Sequence, residues 1–329
     1  MSYELRAEES LGDGARRLCR RQIALAMEAS QSARTERDSP VHRTRKHLKK
    51  ARAALRLLDD VVARDEFERA RKRLRDVARL LSDIRDAEVR FHTVQQLGHL
   101  LQIEEDDVLH DAKAFLGLEL DSFLAAFSDW KETAESGLTK LRRQMTNWQV
   151  DSLSCKQVRR TVQKAYQRGR KTLRAASERP TAESFHTFRK RAKELMYQLR
   201  ILAPLHPLLL QQQVNYLEVL TEHLGNAHDL AFLEQRLIKH SRKGKADRAA
   251  EALSELIGLR EKELQRTAAA LGERFYAEKP QAFARRISHY FEEWGMAKAG
   301  HVSAVQEIAR AATTRPHRDG AQARSQIRT

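Results

Sequence analysis

The sequence predicts an all-α protein, and three observations predict it: a composition of strong helix formers, helical spacing of apolar residues along most of the chain, and a basic helical segment that occurs twice. Among 329 residues there are only 13 Gly and 6 Pro, while Leu, Ala, Arg, Glu and Lys dominate. Those side chains lose little freedom in a helix, whereas a turn-rich β protein needs more chain-breaking residues. The length allows a sizeable core in one large domain or two of ordinary size.

Helical periodicity begins near Ser10 and is punctuated at Asp38-Ser39-Pro40, around Asp151 to Ser154, at Arg179-Pro180-Thr181, and at Pro204 and Pro207. Ser39 followed by Pro40 has the form of an N-cap with a first-turn proline, and Thr181-Ala182-Glu183-Ser184 offers a cap for the helix that carries His186. The segment VHRTRKHLKKARAALRLL, Val41 to Leu58, returns as FHTFRKRAKELMYQLRIL, Phe185 to Leu202, at a constant offset of 144. His42, Arg45, Lys46, Lys49 and Arg56 thereby recur as His186, Arg189, Lys190, Lys193 and Arg200. Downstream, Leu81-Ser-Asp-Ile-Arg-Asp86 recurs as Leu224-Gly-Asn-Ala-His-Asp229 at an offset of 143, and upstream Arg16, Arg17 and Arg21 fall opposite Arg159, Arg160 and Lys164. Self-similarity at one offset describes a duplicated helical unit, with halves at residues 8–148 and 152–276. A further helix over 280–300, with Phe283, Ile287, Tyr290, Phe291 and Trp294, has the spacing to dock on the bundle. Residues 314–329 lack apolar periodicity and predict a disordered basic tail.

Lys and Arg outnumber Asp and Glu by 61 to 45, a formal charge of +16 that attracts polyanions. At about 100° per residue, His42, Arg45, Lys46, Lys49 and Arg56 form one stripe opposite Leu48, Ala51, Leu55 and Leu58. The second copy sets its five basic positions opposite Ala192, Leu195, Met196, Leu199 and Leu202. Like charges three and four residues apart repel by a few tenths of a kcal/mol per pair, so something anionic should relieve the stripe. A solvated face with ion pairs to Asp83, Asp86 and Asp229 is the bland reading. Polar identity between copies whose apolar neighbours change favours a binding face. Arg forks and Lys point charges together suit phosphate groups. Arg17, Arg21, Arg160, Lys164 and Tyr197 are further candidates. Neighbouring cations should lower the pKa of His42 and His186, and a bound polyanion should raise it, so binding is expected to strengthen on acidification.

Other classes find less support. Cys19 and Cys155 stand far apart, giving neither a disulfide framework nor a cysteine metal site. The acids Glu104 to Asp107, with His110 and Asp111, point to different sides of a helix, and cations surround the repeated histidines, so no metal or other cofactor is expected. There is no Gly-rich phosphate loop, Ser-His-Asp arrangement or carboxylate-metal pattern near either stripe, so no catalytic residue and no enzyme is expected. A phospho-acceptor role for His42 or His186 lacks a local activating base. The N-terminus carries no basic-then-apolar signal and no window is apolar enough to span a bilayer, so a cytoplasmic protein without a membrane partner is expected. Nucleic-acid binding stays open, since any concentrated basic surface attracts a phosphate backbone. Phe185, Phe188 and Tyr197 accompany only the second stripe and aromatics are 6% of the chain, a poor basis for stacking.

The His-x-x-Arg-Lys-x-x-Lys segments, with the downstream Leu-x-x-x-Arg-Asp and Leu-Gly-Asn-x-His-Asp segments, resemble the conserved histidine α-helical domain family, CHAD, over residues 5 to 295. The resemblance implies one domain over residues 1–300, built of two related antiparallel four-helix bundles with basic faces lining a central groove or pore. It implies binding of inorganic polyphosphate or another polyanion, with sulfate or phosphate able to take the same positions in crystals, and association with polyphosphate granules. The ten stripe residues would face the ligand, and Asp86 and Asp229 would orient basic side chains. His47 becomes Arg191, Lys50 becomes Glu194 and Arg52 becomes Met196, so the halves need not bind equally. Asp83 becomes Asn226 and Arg85 becomes His228. The Glu-x-Glu-x-Lys strand motif of triphosphate tunnel hydrolases, which often accompany the family, is lacking, so a stand-alone binding domain is expected.

Overall fold

Capping chemistry sets where the helices begin. The computed structural model describes residues 2–32, 39–101, 107–126, 129–148, 150, 154–241 and 248–298. In chain order these form α1 (Leu11–Gln31), α2 (Pro40–Arg56), α3 (Arg64–Leu80), α4 (Ser82–Leu101), α5 (Asp107–Ala126), α6 (Trp130–Gln144), α7 (Cys155–Glu178), α8 (Ala182–Leu202), α9 (Pro207–Ser241), α10 (Arg248–Phe275) and α11 (Pro280–Lys298), with a short 3-10 turn, Ala203–Leu205, before α9. No strand occurs among the described residues. The predicted tail, residues 299–300, Asp38, Asp151 and most of the acidic cluster, Glu104 to Asp106, lie outside them.

Ser39 caps α2 as its sequence predicts: its hydroxyl accepts from the His42 amide at 2.9 Å, with Pro40 in the first turn. The same hydroxyl donates to Glu88 of α4 at 2.8 Å, so the cap also fixes α2 against α4. α8 opens with a reciprocal box in which Thr181 Oγ1 accepts from the Ser184 amide at 3.1 Å and Ser184 Oγ from the Thr181 amide at 3.0 Å.

α1 packs on α2 and α6, α3 on α6, and α4 on α5; in the second half α7 packs on α8 and α10, α8 on α9, and α9 on α10. Contacts of α2 with α8 and of α4 with α9 join the two halves. The apolar faces opposite the stripes are buried, Leu48, Ala51, Leu55 and Leu58 in the first and Ala192, Leu195, Met196, Leu199 and Leu202 in the second. Each such Leu contributes about 1.5–3 kcal/mol relative to exposure. α11 docks on α7 through buried Phe283, Ile287, Tyr290 and Trp294, with Phe291 partly buried, as its spacing predicts. A second, smaller apolar cluster joins Val94 and Leu97 of α4, Leu109 and Leu116 of α5, Leu233 of α9 and Ile257 of α10.

Gly169 of α7 lets the buried Tyr276 ring lie directly on the helix backbone, where it packs 5.0 Å from Tyr166. A Cβ at 169 would collide with that ring. Gly169→Ala is therefore expected to lower stability by about 1–3 kcal/mol, read as a drop in the urea midpoint. An unchanged midpoint would show that the ring can retreat.

Among the described residues, no helix is long and apolar enough to cross a membrane.

Candidate functional site

The α2–α8 contact brings the two basic stripes to one groove of about 950 Å³. Nine of the ten stripe residues line it: His42, Arg45, Lys46, Lys49 and Arg56 from α2, and His186, Arg189, Lys190 and Lys193 from α8. Tyr197, Asp86 and Asp229 line it too. Twelve Arg and Lys side chains face four carboxylates on its walls, so the wall is strongly cationic.

Arg200 is a correction. It forms an ion pair with Glu218 of α9 instead of lining the groove. Its counterpart Arg56 is held inward by Glu194, 2.8 Å away, but the position matching Glu194 on α2 is Lys50, a cation that can draw no arginine inward. Arg17, Arg21, Arg160 and Lys164 are also absent from the lining. Arg17 Nε donates to Glu9 at 2.7 Å, Arg21 pairs with Glu28 at 3.1 Å, Arg160 lies 3.7 Å from Asp60, and Lys164 is exposed on α7. These four residues sit on the parts of α1 and α7 that back α2 and α8, and none of the four lines the groove.

Sequence reasoning missed Arg52, Arg75, Arg79 and Arg191 as groove residues. Requiring identity between copies discarded Arg52 and Arg191. Arg75 and Arg79 stand four apart on α3, a signal masked by the acids Glu66, Glu68 and Asp76 in the same helix. Arg85 and His228 line the groove at the positions where the downstream motifs diverge.

The two halves hold their matching arginines against the same point of the facing helices. Arg45 Nη1 donates to the Ala78 carbonyl at 2.7 Å and to Ser82 Oγ at 3.0 Å, where the chain breaks between α3 and α4. That arginine satisfies a carbonyl at the helix break. In the second half α9 runs through unbroken, and Gly225 stands where Ser82 would be. A Cβ on Gly225 would lie 3.3 Å from Arg189 Nη2, so glycine leaves room for the guanidinium to lie close.

The cations crowd one another. Lys49 keeps solvent-exposed surface, yet protein surrounds it on most sides, as befits a groove wall. Its ammonium pKa falls well below the usual value through burial first, then through Arg189, Lys193, Arg45 and Arg85. Burial followed by Arg189 lowers Lys193 to about 8, with Asp229 opposing. Asp86 and Asp229 lie between desolvation, which raises their pKa, and cations that pull it down: Arg45 and Arg90 for Asp86, Arg189 and Arg85 for Asp229. Burial prevails at both.

His186 and His228 pack with ring centroids 4.0 Å apart, and His186 Nδ1 is buried without a hydrogen-bond partner. Burial, then Lys190, Arg189 and Lys49, lowers His186 to about 4; burial, then His186 and Arg189, lowers His228 to about 3. The expected direction for His186 is right, but desolvation rather than neighbouring charge is the leading cause. Among the described residues no three His, Cys, Asp or Glu side chains converge as a metal site.

No curated protein matches the chain. In fold the chain is similar to PptA from Streptomyces chartreusis, with a TM-score of 0.57 and 13% identity, covering 82% of this chain and 100% of that one. It is also similar to the CHAD domain from the plant Ricinus communis, with a TM-score of 0.50 and 17% identity, covering 88% of this chain and 95% of that one. The CHAD domain family model matches residues 17–238, more than half of the chain and both basic stripes, so this protein belongs to the CHAD family.

Proposed function

We propose that this chain binds inorganic polyphosphate in the groove between α2 and α8, without chemical turnover. The observation that carries the reading is the convergence of both stripes on one groove, where twelve Arg and Lys side chains outnumber four carboxylates. Such an arrangement is costly when empty and favours a ligand with many linked negative charges. The α2 stripe from His42 to Arg56 is about 21 Å long at 1.5 Å per residue, which suits a chain of phosphates better than a compact anion. Guanidinium forks and ammonium groups supply the matching donors. In a cell, the same affinity would bring the protein to polyphosphate granules.

Calorimetric titration with long-chain polyphosphate is expected to show saturable binding that weakens linearly on a log scale as salt rises. Labelled RNA should be displaced by polyphosphate at matched phosphate concentration. RNA prevailing in that competition would move the assignment to nucleic acid, for which Tyr197 and Phe232 are the Tyr and Phe side chains on the groove wall.

A further inference from the structure

We propose that Arg56, Arg168 and Arg191 form an oxyanion subsite that the carboxylate of Glu194 occupies in the empty protein, as a tethered competitor that an incoming phosphate displaces. The inference rests on the anion-binding reading of the groove and adds to it the residue that limits affinity at one end.

Three guanidiniums from three helices meet at this one carboxylate. Arg56 Nε of α2 lies 2.8 Å from Glu194 Oε1, Arg191 Nη1 of α8 lies 3.0 Å from Oε2, and Arg168 Nη1 of α7 lies 3.7 Å from Oε1. The Glu194 side chain is only 12% exposed. Its occupancy is nonetheless imperfect: Oε1 is buried and accepts no aligned hydrogen bond, although Arg56 Nε is close. Arg168 stands beyond hydrogen-bond distance.

A single carboxylate brings one charge and two oxygens to three forked donors. A phosphate within a chain brings at least one charge, an equivalent pair of free oxygens, and neighbours that reach further cations. The surrounding field supports the competition. Arg56 feels Arg168, Arg191 and Arg52 as repulsive neighbours and Glu194 as the attractive one. Sequence marks the position as well, because the residue matching Glu194 in the first half is Lys50. Charge reverses there, while Lys49 and Lys193 one position earlier keep the same sign.

The test compares wild type, Glu194→Gln, which keeps shape and removes charge, and Glu194→Asp, which keeps charge. Polyphosphate affinity of Glu194→Gln is expected to rise about three- to tenfold, which corresponds to about 0.7–1.4 kcal/mol for removing one competing charge. Its log affinity should also fall more steeply with log salt, by about 0.7 for each additional phosphate that the freed arginines neutralise. Without polyphosphate, Glu194→Gln should melt below wild type in low salt, and sodium sulfate should recover more of the loss than sodium chloride at equal ionic strength. Glu194→Asp should stay near wild type in all three measurements. Equal or weaker polyphosphate binding by Glu194→Gln, alongside tight binding by wild type, would make Glu194 a positioning residue for the arginines and overturn the proposal. Failure of wild type to bind polyphosphate would instead remove the functional reading. The sulfate arm then decides on its own, and a sulfate effect no larger in Glu194→Gln than in wild type overturns the subsite.

Discussion

The Lys49→Glu, Lys193→Glu double variant is expected to lose polyphosphate affinity by two to four orders of magnitude while remaining folded. Both side chains line the groove, one from each half, and each charge-assisted contact contributes about 1.5–3 kcal/mol. Reversal removes two such contacts and places two carboxylates in the ligand path. Stability should move the other way. Lys49 is held among Arg189, Lys193, Arg45 and Arg85, and Lys193 beside Arg189 with Asp229 and Glu218 opposing, so replacing the more repelled cation, Lys49, by an anion relieves the ligand-free protein. Titration and thermal melting on the same samples separate the effects. Weak binding with a maintained or raised melting temperature is the expected pair of results, and unchanged affinity would reduce the stripes to a solvated surface. The single variants should each show an intermediate loss.

Changing pH is expected to move stability and affinity in opposite directions. His186, His228 and Lys193 are shifted to about 4, 3 and 8, each below its ordinary value. Between the folded and ordinary values the unfolded chain therefore binds more protons than the native protein, and stability of the ligand-free protein rises with pH. For the histidines this contribution is present above their ordinary value of about 6.5 and is lost as pH falls toward 4. For Lys193, stability grows from pH 8 upward toward the ordinary lysine value.

A bound polyanion favours the protonated forms, so binding takes up protons. The groups facing His186 are Lys190 and Arg189 on its own helix, His228 on α9 and Lys49 on α2. An anion that neutralises those cations removes the electrostatic part of the shift, although desolvation remains. Affinity should consequently rise as pH falls, by up to about tenfold per pH unit for each proton taken up. Titration in two buffers of different ionisation heat measures the uptake directly. His186→Ala with His228→Ala should flatten the acid limb and leave the limb near pH 8, which belongs to Lys193. A pH-independent affinity in wild type would show that the ligand does not reach these groups.

Local chemistry made much of the fold legible beforehand. Ser39 and Thr181 announce their helices because an N-cap hydroxyl acts within three residues. The buried faces of α2 and α8 follow from helical period alone, and the spacing of Phe283, Ile287 and Trp294 identifies a docking helix. The stripes were legible because their charged positions repeat at one offset. What escaped depends on residues distant in sequence. Arg200 was assigned by symmetry with Arg56, yet Glu218 of α9 decides its direction, and no local pattern reports on α9. Arg75 and Arg79 enter the groove from α3 without a repeated counterpart to draw attention to them. Glu194 stood out as a departure from Lys50, but its role emerges only when Arg168 arrives from α7.

The smaller apolar cluster packs apart from the main core. Val94 and Leu233 close it between the later stretches of α4 and α9, whereas Arg85 and His228 belong to the groove at earlier points on the same two helices. Such a satellite core can breathe as its own cooperative unit while the larger one stays shut. A polyanion bound as proposed would touch α4 at Arg85 and α9 at His228, and is expected to slow any such opening as a staple acts on the spine of a booklet.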